Sequence, residues 1–336
     1  MTRAGCAVTV AVLLAGCSGR QNALDFASDQ ARAIGDIWHV MLLVCGVMYL
    51  LMMALLAWAI WRAKRRLPSA AVSATVPAVD GFLRKLLGSW VVLIVVGLFV
   101  LAAASFWVDR RLALTQDSHA MQVRITASQW WWQVEYLDPD PSRTIVTANE
   151  LHLPVDRATR IELRSNDVIH SFWVPNLNGK TDLIPGRSNF ITITPRRIGQ
   201  LRGQCAEFCG LQHARMAIDV TVEAPPDFAR WQAAQLAPAR VPQTAQERQG
   251  QHVFLASTCA TCHTIAGTDA AGKIGPDLTH LASRRTLAAG TLPMRAQALA
   301  GWIRQPHAAK PGTNMPASEL PADQLAALVT YLMTLQ

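Results

Sequence analysis

Hydrophobic residues follow three successive patterns along this chain, and each predicts a different kind of structure. The N-terminal part holds uninterrupted runs. Ala7–Leu14 is too short to cross a bilayer, but Ile37–Trp61 has 25 residues without a formal charge and Leu86–Val108 has 23. Each exceeds the roughly 20 residues a membrane-spanning helix needs. Trp38, Trp58, Trp61 and Trp107 lie near the run ends, where interfacial anchors belong. From about Met121 to Ala224 the pattern changes to short alternating runs: Val123–Ala127, Arg160–Arg164, Phe190–Thr194 and Ala217–Val222. Pro154, Asn176, Gly179, Pro185, Gly186 and Gly199 punctuate them, which predicts an all-β sandwich or small barrel. Pro225-Pro226 and an Ala, Pro and Gln-rich stretch to Thr244 read as a linker. Beyond it the period is helical. A short helix is expected over Gly250–Leu255, and another from Pro321 with Leu325, Leu328, Val329 and Leu332 on one face. The expected organisation is a signal segment at 1–16, an N-terminal segment with two spans at 17–110 (37–61 and 86–108), a β domain at 111–225, a linker at 226–244 and an all-α domain at 245–336.

Charge decides how the runs are oriented. The 336 residues carry +8 overall, with 51% hydrophobic and 16% charged residues. That composition excludes disordered and fibrous classes. Residues 1–61 are balanced, 62–85 carry +5, 109–226 are balanced and 227–336 carry +3. Arg62, Lys64, Arg65, Arg66, Arg84 and Lys85 thus sit between the two spans, and the positive-inside rule places that loop in the cytoplasm. Everything after Val108 then faces outward. The balanced β domain gives no ground for nucleic-acid binding. Arg3, the Ala7–Leu14 run and Leu14-Ala15-Gly16-Cys17 have the layout of an export signal. A small-residue site before cysteine resembles a bacterial lipoprotein signal, with Cys17 the lipidated residue, which implies a multi-pass protein of the bacterial inner membrane. His39 and Cys45, inside the first span, read as packing or interface residues.

Two motifs carry chemistry. In Gly203-Gln204-Cys205-Ala206-Glu207-Phe208-Cys209-Gly210-Leu211-Gln212-His213-Ala214-Arg215-Met216, two cysteines four apart are followed by a histidine and a methionine; His170 lies upstream. Thiolate, imidazole and thioether form a soft donor set suited to copper. Two cysteines on one loop can bridge two ions, with one histidine terminal on each. A disulfide or a Cys₂His₂ zinc site are the competing readings, but zinc rarely takes methionine. The second motif, Cys259-Ala260-Thr261-Cys262-His263, is the attachment pattern of a c-type haem, with both thiols bound covalently and His263 as axial ligand.

The first motif, with His170-Ser171-Phe172-Trp173-Val174-Pro175, Lys180-Thr181-Asp182-Leu183-Ile184-Pro185-Gly186-Arg187, the Gln129-Trp130-Trp131-Trp132 cluster and the two spans, closely resembles subunit II of cytochrome c oxidases over residues 20 to 225. The resemblance implies a cupredoxin barrel holding the dinuclear copper centre CuA. Its ligands would be His170, Cys205, the backbone carbonyl of Glu207, Cys209, His213 and Met216. The Glu207 side chain would reach a magnesium site shared with subunit I, and Trp130 would be the electron-input tryptophan. One departure stands out: Arg84-Lys85-Leu86-Leu87-Gly88-Ser89-Trp90, opening the second span, lacks the glutamate with which the family feeds a proton channel.

Residues 245–336 resemble a class I cytochrome c, through Cys259–His263, Gly275-Pro276-Asp277-Leu278 and Lys310-Pro311-Gly312-Thr313-Asn314-Met315-Pro316. Met315 would be the second axial ligand, in preference to Met294, and His/Met ligation raises the haem potential. His252, His280 and His307 are then expected at the surface. The whole resembles an oxidase subunit II with a fused cytochrome, a proton-translocating cytochrome-c oxidase component. It implies partners in subunits I and III, and cytochrome c or another donor outside. The competing reading is a membrane-anchored haem and copper electron carrier that belongs to no oxidase.

Overall fold

The computed structural model describes residues 19–65, 81–114 and 120–336. Cys17 and Arg66 fall outside these residues. The chain divides into two units, Arg32–Thr115 and the remainder.

In the first unit both apolar runs are helical: α1 covers Asp29–Arg65 and α2 covers Gly81–Leu114. Both are longer than the spans read from sequence, because charged residues at their ends continue the helix beyond the apolar core. The two helices come close at Gly97, where an added Cβ would sit in ordinary contact with Val44 Cγ1 at 3.6 Å. Large apolar side chains point outward, with Leu43 68% and Phe99 74% exposed. Such exposure suits a hydrocarbon surrounding rather than water.

The second unit contains a β module with ten strands: β1 (Met121–Ser128), β2 (Trp131–Tyr136), β3 (Ile145–Ala148), β4 (Glu150–Pro154), β5 (Thr159–Ser165), β6 (His170–Trp173), β7 (Thr181–Leu183), β8 (Asn189–Ile193), β9 (Gly199–Cys205) and β10 (Ala217–Glu223). They form two sheets ordered β3-β2-β1-β5-β8 and β4-β10-β9-β6-β7. In each sheet one pair is parallel, β1 with β5 and β10 with β4. Alternate residues turn inward, so Val123, Ile125 and Ala127 of β1 meet Leu151, Leu153 and Val220 of the other sheet's strands in one core. The tryptophan cluster is part of this pattern: Trp132 of β2 is fully buried, edge-on to Phe172.

The expected linker is half helical. Helix α3 (Pro225–Gln235) buries Phe228 and lays Trp231 flat on His152 of β4, with ring centroids 4.2 Å apart. The sequence signal was weak because only these two aromatics anchor the helix.

The C-terminal module is helical. Helix α4 (Ala245–Ala256) begins with a capping box between Thr244 and Glu247. It crosses α8 (Ala322–Leu332) where Gly250 faces the Ala327 carbonyl; a Cβ there would lie 2.1 Å from that oxygen. The four apolar residues expected on one face of α8 are all buried. Between these helices come α5 (Cys259–Cys262), α6 (Ala296–Arg304) and α7 (Pro306–Ala309). His252 and His307 are exposed as expected, but His280 is not. Its ring lies buried between the carbonyls of Gln336 (2.8 Å from Nδ1) and Ala237 (3.1 Å from Nε2). It ties the C-terminus to the segment after α3, a role that its sequence position did not reveal.

Candidate metal centre and haem-attachment site

The β module gathers its donors at one end of the second sheet. Pairing of β6 with β9 sets Phe172 opposite Cys205, which brings His170, at the start of β6, beside the end of β9. The loop from Cys205 to Met216 folds back between β9 and β10. The ligand atoms of His170, Cys205 and Cys209 lie within 4.8 Å of one another, and all three residues are buried. The two sulfurs are 3.7 Å apart, so they are not a disulfide. His170 Nδ1 is 3.9 Å from Cys205 Sγ and His213 Nδ1 is 3.8 Å from Cys209 Sγ. Met216 Sδ is 4.0 Å from Cys209 Sγ, and the Glu207 carbonyl faces Cys205 Sγ at 3.3 Å. The six residues expected from sequence are thus brought together.

The electrostatics call for a cation here. The hydrogen bond with Cys209 draws the Cys205 thiol well down, against the cost of burial and with help from His170. Cys209 itself is driven far up by the neighbouring thiolate and by burial. Two sulfurs this close cannot both ionise unless positive charge sits between them, and a bound metal supplies it. The donor set and its spacing therefore fit copper.

One residue at the centre was missed in the sequence reading. Asp167 accepts from His170 Nε2 at 2.8 Å, from Val168 N–H at 2.7 Å and from Gln129 N–H at 2.6 Å. Burial disfavours the charged form of His170, but hydrogen bonds to Cys205 and Asp167 outweigh it and raise its pKa. The carboxylate holds the ring so that Nδ1 faces the sulfurs, a common support for metal-binding histidines. The turn Ser165-Asn166-Asp167-Val168 was the available signal, since it places a carboxylate three residues before the ligand.

Trp130 lies against the same loop. Its indole N–H donates to the Cys209 carbonyl at 2.8 Å, and Gln129 Nε2 donates to that oxygen too. Trp130 is only 7% exposed, with Gly312 of the helical module lying against its ring. Lys310 Nζ donates to the Trp130 carbonyl at 2.7 Å and to Ala288 O at 3.3 Å. Burial pulls the Lys310 ammonium down to about 7; the neutral amine still offers two N–H donors, one for each carbonyl. The Glu207 side chain points elsewhere, to Lys180 at 4.0 Å.

The Cys-x-x-Cys-His motif occupies α5 and the residue after it. His263 Nδ1 pairs with the Pro276 carbonyl at 2.7 Å, which makes Nδ1 the donor and leaves the Nε2 lone pair for a metal. Burial, with Arg284 nearby, lowers the His263 pKa and keeps the ring neutral. Gly275 forms the wall behind it; a Cβ there would sit 2.6 Å from His263 Cε1. Cys259 and Cys262 are half-buried thiols, and Met315 and Met294 both pack against the module's core. This donor set fits a covalently attached haem.

The chain matches the family described as "Cytochrome C oxidase subunit II, periplasmic domain" over residues 137–223 and the family "Cytochrome c" over 247–336. It is 28% identical to the cytochrome c oxidase subunit 2 of Alkalihalophilus pseudofirmus, over 97% of this chain and 94% of that one. With the subunit 2 of Bacillus sp. strain PS3 it shares 30% identity over 74% of this chain and 73% of the relative. A solved periplasmic domain of cytochrome oxidase subunit II from Bradyrhizobium japonicum is 29% identical, over 36% of this chain and 96% of that one, with a TM-score of 0.34. The paired thiols, the c-haem motif and the two relatives, one of them 30% identical over about three quarters of each chain, lead to one assignment: the chain belongs to the cytochrome c oxidase subunit II family, in a form that carries a cytochrome c module after its copper module.

Proposed function

We propose that this chain is the electron-input subunit of a membrane-bound terminal oxidase, taking electrons from an external donor at its c-type haem and passing them through CuA to subunit I. The bound groups supply one-electron redox chemistry when present; the chain's own residues set ligation, distance and water exclusion. His170, Cys205, Glu207 through its carbonyl, Cys209, His213 and Met216 hold the copper pair, and Asp167 orients His170. Cys259 and Cys262 would anchor the haem, and His263 and Met315 would ligate its iron. Trp130 bridges the helical module and the Cys209 carbonyl. The Glu207 carboxylate, 4.0 Å from Lys180 in this chain, would take part in a magnesium site shared with subunit I.

The copper and haem modules lie on the periplasmic side of the bacterial inner membrane, anchored by α1 and α2 and by a lipid on Cys17. Subunits I and III are the membrane partners. The domains are those expected from sequence except that α3, at the start of the expected linker, is assigned to the copper module. The observation that carries the reading is the convergence of two thiols, two imidazoles and a thioether on one buried point. Purification of the complex in mild detergent tests it: the chain should co-purify with a haem-bearing polytopic subunit, show a seven-line mixed-valence copper signal and retain haem after acid extraction. A chain that emerges alone, or without that signal, overturns the proposal.

A further inference from the structure

The copper loop and the haem module share a face built from several independent contacts, and its centre is Trp130. Gly312, at φ +82°, lies over the indole: a Cβ there would be 3.1 Å from Leu211 Cδ1 and 3.6 Å from Trp130 Cη2. Gln212 Nε2 donates to the Pro311 carbonyl at 2.7 Å, and Arg215 donates to the Ala309 carbonyl. At the rim, Ala217 N–H donates to Ala289 O at 3.0 Å and Thr286 Oγ1 to Asp219 at 2.7 Å. The loop that leads to Met315 is therefore seated on the loop that holds the sulfurs. At the middle of the face Lys310, 2% exposed, reaches across to the Trp130 carbonyl.

We propose that Lys310 is a positioning residue that clamps the Met315 loop onto Trp130, so that the chain's own haem module occupies the face through which the copper module receives electrons. The proposal rests on the assignment of Trp130 and of the haem above. Burying a lysine is costly unless its donors are paired; here the Trp130 carbonyl, across the face, and the Ala288 carbonyl, on the lysine's own module, pair them, and opening the face would break the first of these bonds. With it closed, Trp130 is in van der Waals reach of Gly312 on one side and hydrogen-bonded to Cys209 O on the other. With haem and copper bound, a one-electron transfer across this face would need no bond made and no proton moved. An external donor then docks on the remaining surface of the haem module, not on the copper module.

The test uses the full chain in its oxidase complex and reads three quantities. Hydroxyl-radical labelling of Trp130, followed by mass spectrometry, should be low in the wild type and at least about fivefold higher in Lys310→Met. This readout does not depend on the bound cofactors. After photoreduction of the haem, copper reduction should be independent of added glycerol in the wild type. In Lys310→Met it should become at least about tenfold slower and viscosity-dependent, while the copper signal and haem spectrum stay unchanged. Lys310→Gln, which keeps amide donors, should restore protection of Trp130 in part. Wild-type Trp130 labelled as strongly as an exposed tryptophan, or a wild-type rate that falls with viscosity, overturns the clamp even if the lysine variants do not fold. A protected Trp130 without copper reduction leaves the clamp standing and overturns the electron route instead.

Discussion

His152 gives the copper module a pH dependence that can be worked out from its surroundings. Its Nδ1 pairs with Glu223 at 2.8 Å, its Nε2 lies 3.6 Å from Glu150, and its ring is stacked on Trp231. Burial opposes the charged form, but the two carboxylates outweigh it and raise the pKa from 6.5 to about 9. The native state therefore keeps a proton that the unfolded chain has lost above pH 6.5. The stabilisation is complete below about pH 6.5 and disappears as pH rises through 9. A shift of about 2.5 units at 1.36 kcal/mol each is worth about 3 kcal/mol. For a domain of roughly 100 residues that is a fall in Tm on the order of 10 °C between pH 6 and pH 9.5. Thermal unfolding of the copper module, followed by near-ultraviolet circular dichroism, measures it. His152→Gln should be less stable than wild type at pH 6, about equal at pH 9.5, and nearly flat between. If His152→Gln keeps the wild-type slope, or the wild type is flat, the imidazolium bridge is refuted.

Two other outcomes follow from the packing. Gly250→Ala would press a Cβ into the Ala327 carbonyl and Tyr331 Cβ, so it should destabilise the helical module by about 1–3 kcal/mol, seen as a lower thermal midpoint of the haem Soret band while the copper transition is unchanged. Asp167→Ala removes the carboxylate that orients His170 and should weaken copper binding about 10–100-fold, measured by competition with a chelator, with the fold preserved by circular dichroism.

The sequence made visible whatever repeats or whatever chemistry concentrates. Each strand read from alternation falls on an observed one: Val123–Ala127 lies within β1 and Ala217–Val222 within β10. The soft ligands could be read because Cys, His and Met in such a spacing have few other uses. What stayed hidden depends on contacts between distant segments. Lys310 reads as an ordinary basic residue in a loop, and only the approach of residues 180 positions away makes it buried. His280 looked like a surface residue because its two carbonyl partners lie 43 and 56 residues away. Helix α3 lacks a strong apolar stripe, since its stability comes from Phe228 and Trp231 against another element's side chains rather than from its own pattern.

The fate of the expected linker changes how the two modules should be regarded. Its first half is held by the copper module as α3, which ends at Gln235. Its second half is held by the haem module: Ala237 O receives His280, Ala239 N–H donates to Ala266 O at 2.9 Å, and Arg240 pairs with Glu247. What is left is a joint of about one or two residues around Leu236, with a reach of only some 3.5 Å per residue. A flexible tether of nineteen residues would give an effective concentration in the millimolar range. A single joint confines the haem module far more tightly, so even a weak interface stays closed nearly all the time. The contact between the haem and copper modules is thereby fixed by the geometry of the fold rather than by a bimolecular encounter.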